Sequence, residues 1–135
     1  NRHPSLSFVC ILRNSYFFSQ IKKGESMRVS VFFRWEGATL EQYDALRQIV
    51  KWEEDVAAGA VVHICSHDGK SLRITDVWES AEDFNAFVDN RLMPAVKEVG
   101  IEGEPEVEIY PLHTLFAAAF EESEMEMEVE EETEA

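Results

Sequence analysis

Little in this chain would anchor it, staple it or carry it to nucleic acid. It has only two cysteines, Cys10 and Cys65, in segments of unrelated pattern. Two such thiols read as free in a reducing compartment, so a cytoplasmic protein without a disulfide framework is expected. No run approaches the roughly 18–20 apolar residues of a membrane-spanning helix, so no membrane partner is expected. Cations are scarce: 12 Lys and Arg stand against 27 Asp and Glu, a net charge of −15. An acidic field repels phosphate backbones, so nucleic acid is not expected as a partner. There is no phosphate-cradling Gly-rich loop, no G-x-S-x-G and no defensible pair of catalytic carboxylates.

What is present is 135 residues, 45% of them apolar, enough for one domain with a real core. The negative charge is uneven. The run "EESEMEMEVEEETEA" holds nine glutamates and no cation, and residues 1–26 hold four cations and one glutamate, which leaves −9 for residues 27–120. Three regions follow: a leader over 1–26, a folded domain over 27–115 and an acidic tail over 116–135. The tail repeats like charges at every helical spacing, so disorder is expected after a short helical turn in "HTLFAAAF". The leader has an apolar stretch from Leu6 to Leu12 but no A-x-A-like cleavage site. Lys23-Gly24-Glu25 can be encoded by the purine-rich codons of a bacterial ribosome-binding site, and Met27 follows closely. The native chain is therefore expected to begin at Met27, the alternative being an additional N-terminal strand or arm.

The middle of the chain reads as four strands and two helices. "RVSVFFRW" (28–35) is the first strand, with Val29, Val31, Phe33 and Trp35 on one side and Phe32 on the other. Thr39 and Gln42 form a capping box. Leu40, Tyr43, Leu46 and Val50 then share a helical face, and the helix is expected to end near Trp52–Asp55. "AVVHICSHDGKSLRITDVW" reads as a hairpin turning at Asp68-Gly69, a type I′ signal. A two-residue loop would pair His67 with Lys70. It would put Val61, His63 and Cys65 on one face with Leu72, Ile74, Asp76 and Trp78, leaving Asp76 diagonal to His63 and Ala60 on the opposite face. "SAED" (80–83) reads as a second capping box. Phe84, Phe87, Val88, Leu92, Ala95, Val96 and Val99 follow at i, i+3, i+4 spacing, with a kink expected at Pro94 and a C′ residue at Gly100. "PEVEIYPLH" (105–113) is the last strand, with Pro111 suited to an edge. The order βαββαβ predicts an α+β ferredoxin-like sandwich: a four-stranded antiparallel sheet with helices on one face. The other sheet face also carries apolar residues, so a homodimer through that face is expected.

The stretch "WESAEDF" (78–84) at a strand-to-helix junction, "EQYDAL" (41–46) and "RLMPAVKEVGI" (91–101) with "PEVEIYPLH" resemble the antibiotic biosynthesis monooxygenase-like group. That group lies within the dimeric α/β-barrel superfamily, and the branch resembled is bacterial and uncharacterised. The resemblance spans about residues 27–115. It implies a dimeric barrel fold and two activities among relatives: cofactor-free oxygenation of polyketide quinones, and haem degradation. The haem-degrading branch is similar in carrying a tryptophan where this chain has Phe87, a histidine ligand where it has Lys97, and an asparagine near Ser30. A protonated lysine does not ligate iron, so haem degradation is not expected.

The candidate catalytic residues are His63 and Asp76. A carboxylate beside an imidazole fixes its tautomer and strengthens it as a base for a phenol or quinol. The bland alternative is that the two satisfy each other inside the core. Trp78, Tyr43, Phe87 and His113 are the expected pocket residues, with Trp78 placed to stack on a flat ring. His63, Cys65 and His67 form H-x-C-x-H on one strand, about 6–7 Å apart from one to the next, which is a possible zinc pattern. A metal site usually draws on more than one element, so no metal and no cofactor are expected. Cys65 reads as a small buried residue. The expected function is a cofactor-independent monooxygenase acting on an aromatic or quinone-like small molecule. The alternative is a non-catalytic small-molecule-binding or dimerisation module.

Overall fold

The computed structural model describes residues 27–119. The expectations for the leader, for Cys10 and for the glutamate run lie outside the described residues. Strand β1 (Val29–Glu36) is followed by helix α1 (Leu40–Val50), strands β2 (Ala60–His67) and β3 (Ser71–Trp78), a long helical run, and strand β4 (Glu106–Pro111). The strands form one antiparallel sheet in the order β2-β3-β1-β4. This is the ferredoxin-like arrangement expected from the sequence. The helices cover one sheet face, against which Val29, Val31, Phe33 and Trp35 are buried. Pro111 ends β4, an edge strand, where its missing N–H costs no ladder bond.

Thr39 caps α1 as expected: its hydroxyl accepts from Gln42 N, and the Gln42 side chain accepts from Thr39 N. The helix stops earlier than the sequence suggests. Lys51 adopts the left-handed conformation at φ 57° and its N–H bonds Arg47 O, closing α1 at Val50. Leu40 is 50% exposed, unlike the buried Leu46 and Val50. At 100° per residue it lies about 100° around the helix from the centre of that stripe, whereas Tyr43 lies about 40° away.

The β2–β3 hairpin departs from the expected two-residue turn. His67 pairs with Leu72, Cys65 with Ile74 and His63 with Asp76. The register is two residues off the expected one, so the side chains from Val62 to His67 keep their faces. Asp76 is therefore directly opposite His63, not diagonal to it. The wider loop is built on the Asp68 carboxylate, which accepts from Lys70 N, Ser71 N and Arg73 Nε. At the other end, a bulge between Ala60 and Val62 sets Ala60 opposite Trp78. That corrects the placing of Ala60 on the far face, since a bulge opposes two residues to one.

The Arg73 guanidinium, with the N–H groups of Lys70 and Ser71, holds the Asp68 carboxyl below the usual carboxylate range. A depressed value means the stabilisation is complete above the unfolded value of about pH 4 and fades as pH falls toward the folded one. Asp68→Ala is expected to lower the melting temperature at neutral pH, and the gap to the parent protein is expected to shrink near pH 2. Thermal melts of both proteins at the two pH values check this.

The second helical run comprises α2 (Ala81–Phe87), a π turn (Val88–Leu92) and α3 (Met93–Val99). Only half of the expected capping box forms. Ser80 Oγ accepts from Asp83 N, while the Asp83 carboxylate packs against Gly59. The disturbance expected at Pro94 takes the form of the π turn, in which Met93 N–H reaches back to Val88 O. A proline removes an N–H and crowds the preceding turn, and the wider turn gives it room. Gly100 ends the run at φ 82°.

Gly59 joins α1's trailing loop to β2 with φ 84°, and its carbonyl accepts from Glu79 N at 2.7 Å. A Cβ at this position would lie 2.6 Å from Asp83 Cβ. Gly59→Ala is expected to cost about 2 kcal/mol, since left-handed backbone costs a non-glycine residue roughly 1–2 kcal/mol before Asp83 is displaced. Urea denaturation checks the value.

Candidate functional site

A cavity of about 240 Å³ lies between the covered face of the sheet and the helices. Its walls are largely apolar: Phe33, Leu46, Ile74 and Phe84 line it together with Trp52 and Trp78. Val56 is 65% exposed and also lines the cavity, so the loop between α1 and β2 forms its mouth.

One polar chain runs along the wall. His63 Nδ1 lies 2.7 Å from Asp76 Oδ1, and His63 Nε2 lies 2.8 Å from the Tyr43 hydroxyl. The second Asp76 oxygen accepts from Trp78 Nε1 at 3.1 Å. A carboxylate accepting at both oxygens requires the proton of His63 on Nδ1. Nε2 then carries the lone pair and accepts from Tyr43. Strand pairing makes this arrangement possible: His63 and Asp76 are cross-strand partners, and Trp78 sits two residues beyond Asp76 on the same face.

Burial pushes the Tyr43 phenol well above its ordinary value, reinforced by the neighbouring Cys65 sulfur. Tyr43 therefore remains a hydrogen-bond donor at neutral pH. Burial likewise pushes the Cys65 thiol up, so it stays a thiol. The expectation of a small buried residue holds only in part, since Cys65 is half-buried.

The structure brings together His63, Asp76, Trp78, Tyr43 and Phe87, all of which line the cavity. His113 does not join them. It is exposed in the segment after β4, beyond the sheet pairing that ends at Pro111. Trp78 is 4% exposed, with Phe84 and Phe87 packed at ring-centroid distances of 5.8 and 5.3 Å. It presents part of its ring to the cavity and commits its N–H to Asp76. His67, the third member of H-x-C-x-H, is occupied elsewhere: Nε2 donates to Ala38 O, and Nδ1 accepts from Gly69 N. Among the described residues no group of three or more His, Cys, Asp or Glu is arranged to hold a metal ion. Lys97 is exposed on α3 and Ser30 is on the uncovered sheet face, bonded to Tyr110 O.

Two site residues escaped sequence reasoning. Trp52 turns inward after α1, with its ring 5.5 Å from Tyr43 and 5.3 Å from His63. Glu53 stands beside it, held by Arg47 Nε at 2.7 Å. The signal for both is the left-handed Lys51, which reverses the chain. Lysine is uncommon in that conformation, so nothing in the sequence marked the turn.

No family model matches the sequence, and no curated protein matches it. Similarity appears among solved structures. A protein of unknown function from Nitrosomonas europaea shares 16% identity, covering 70% of this chain and 97% of that one, with a TM-score of 0.51. A Chloroflexus aurantiacus protein provisionally assigned as an antibiotic biosynthesis monooxygenase shares 19% identity over 67% of this chain and 97% of its own, TM-score 0.51. SnoaB, a cofactor-independent oxygenase from Streptomyces nogalater, shares 15% identity in a variant form, over 67% of this chain and 98% of its own, TM-score 0.51. The fold is thus that of the antibiotic biosynthesis monooxygenase proteins, as the resemblance in the sequence implied.

Proposed function

We propose that this protein is a cofactor-independent monooxygenase of the antibiotic biosynthesis type, acting on an aromatic or quinone-like small molecule. The observation that supports this reading is the Asp76–His63–Tyr43 chain on the wall of an otherwise apolar cavity. A phenolic ring held in the cavity brings its hydroxyl to Tyr43, and its proton passes to His63 Nε2 directly or through the tyrosine oxygen. Asp76 stabilises the imidazolium that results. The substrate anion then transfers one electron to O₂, the radical pair combines at a ring carbon bearing hydrogen, and the imidazolium returns its proton to give a hydroperoxide. Loss of water leaves a quinone: one oxygen of O₂ enters the ring and the other leaves as water. The protein supplies the base, the orientation and a dry cavity.

Oxygen uptake matched one-to-one by quinone formation, on adding hydroxynaphthalenes or anthrones to the purified protein, is the expected result. Binding without oxygen uptake supports the second reading, a non-catalytic binding module. What favours that alternative is that Tyr43 already satisfies His63 Nε2.

The same reading includes a homodimer joined through the uncovered sheet face, in a bacterial cytoplasm. Phe32, Ile64 and Tyr110 are 43, 52 and 40% exposed on that face. Sedimentation equilibrium is expected to give twice the chain mass, and a concentration-independent monomer mass would sink the dimer.

A further inference from the structure

We infer that the cavity admits only uncharged rings: its ligand is a planar phenol carrying no anionic group on the enclosed ring system. This rests on the functional reading above and adds a charge criterion to it. Among the described residues lining the cavity none is Lys or Arg, and the formally charged ones are Glu53 and Asp76. Asp76 is 7% exposed, and both its oxygens already accept hydrogen bonds. An anionic substituent entering this space would lose its water and face that carboxylate with no counter-charge.

Among the described residues two arginines touch the lining, and both are committed. Arg47 holds Glu53 and stands 3.9 Å from Asp44. Arg91 donates to Val50 O and Asp55 O, lies 3.7 Å from the Asp55 carboxylate, and covers the Phe87 ring at 5.5 Å. Turning either toward a ligand anion would break bonds it already makes. A neutral hydroxyl meets the opposite situation, because the Tyr43 oxygen, whose proton goes to His63, still offers it an acceptor.

The test compares two probes that share a ring and a hydroxyl: 6-hydroxy-2-naphthamide, uncharged, and 6-hydroxy-2-naphthoic acid, ionised at neutral pH. Both are titrated into the full chain without oxygen, and binding is read by calorimetry. The acid is expected to bind at least about tenfold more weakly than the amide. Val56→Lys places a cation at an exposed position of the mouth and is expected to narrow that gap at least about threefold. Equal affinities, a tighter acid, or a gap that Val56→Lys leaves unchanged would overturn the charge criterion while the functional reading stands. Failure of the amide to bind would overturn both.

Discussion

His63→Ala is expected to lower turnover of a phenolic substrate by a factor of about 10² to 10⁴, the usual worth of a positioned general base. Neutral-ligand binding should change far less. The loss falls on the chemical step because, among the described residues, no base of comparable strength lines the cavity. Tyr43 is held protonated by burial, and Glu53 is engaged by Arg47 at the rim. Asp76 also lines the cavity, but a carboxylate is a far weaker base than an imidazole toward a phenol. Alanine also leaves Asp76 Oδ1 without its imidazole donor, so folding must be checked by thermal melts before rates are compared. The measurement is oxygen consumption at saturating substrate for the parent protein and the variant. An unchanged kcat would remove His63 from the reaction and leave the binding module as the reading to pursue.

Trp78→Ala is expected to cost about 3–5 kcal/mol of stability, the range for deleting a large buried aromatic side chain. Trp78 is 4% exposed and packs against both Phe84 and Phe87. A loss of this size is a large share of the roughly 5–15 kcal/mol that holds a domain together. Trp78→Phe separates packing from polarity. It keeps most of the ring but removes the donor to Asp76 Oδ2. Leaving a buried acceptor unsatisfied costs about 1–3 kcal/mol, so the phenylalanine variant should fall between the parent protein and the alanine variant in urea denaturation.

These two residues also show how far the sequence could be read. Alternation in "RVSVFFRW" and "RITDVW" sorted the strand faces correctly because side chains on a strand repeat with period two. The pairing of His63 with Asp76 was less legible. It depends on the hairpin loop, and the loop depends on a carboxylate, Asp68, binding its own neighbours. The face survived that error only because the register moved by an even number. Ala60 lay beyond the bulge, so no such parity protected it. His113 looked like a strand residue in "EIYPLH", but strand pairing ends at Pro111. Trp52 followed a helix with no glycine to announce its end, so its inward turn had no local signature. Periodicity locates elements that bury a face. It says little about a site whose parts arrive from loops.

The π turn at Val88–Leu92 has a consequence for the history of the cavity. Phe87 and Leu92 are five residues apart, and in an unbroken α-helix they would point about 140° away from each other. Here both line the cavity. The wider turn acts as a phase shift between the two halves of the helix, the kind that a single inserted residue would produce. Returning it to α geometry with every residue kept would rotate Ala95 and Val96 off the core by about a quarter turn, at 100° per residue, whereas deleting one residue at the same time would leave them facing it. A relative one residue shorter here would therefore enclose the same space with an unbroken α-helix, its later apolar positions falling one place earlier in its sequence.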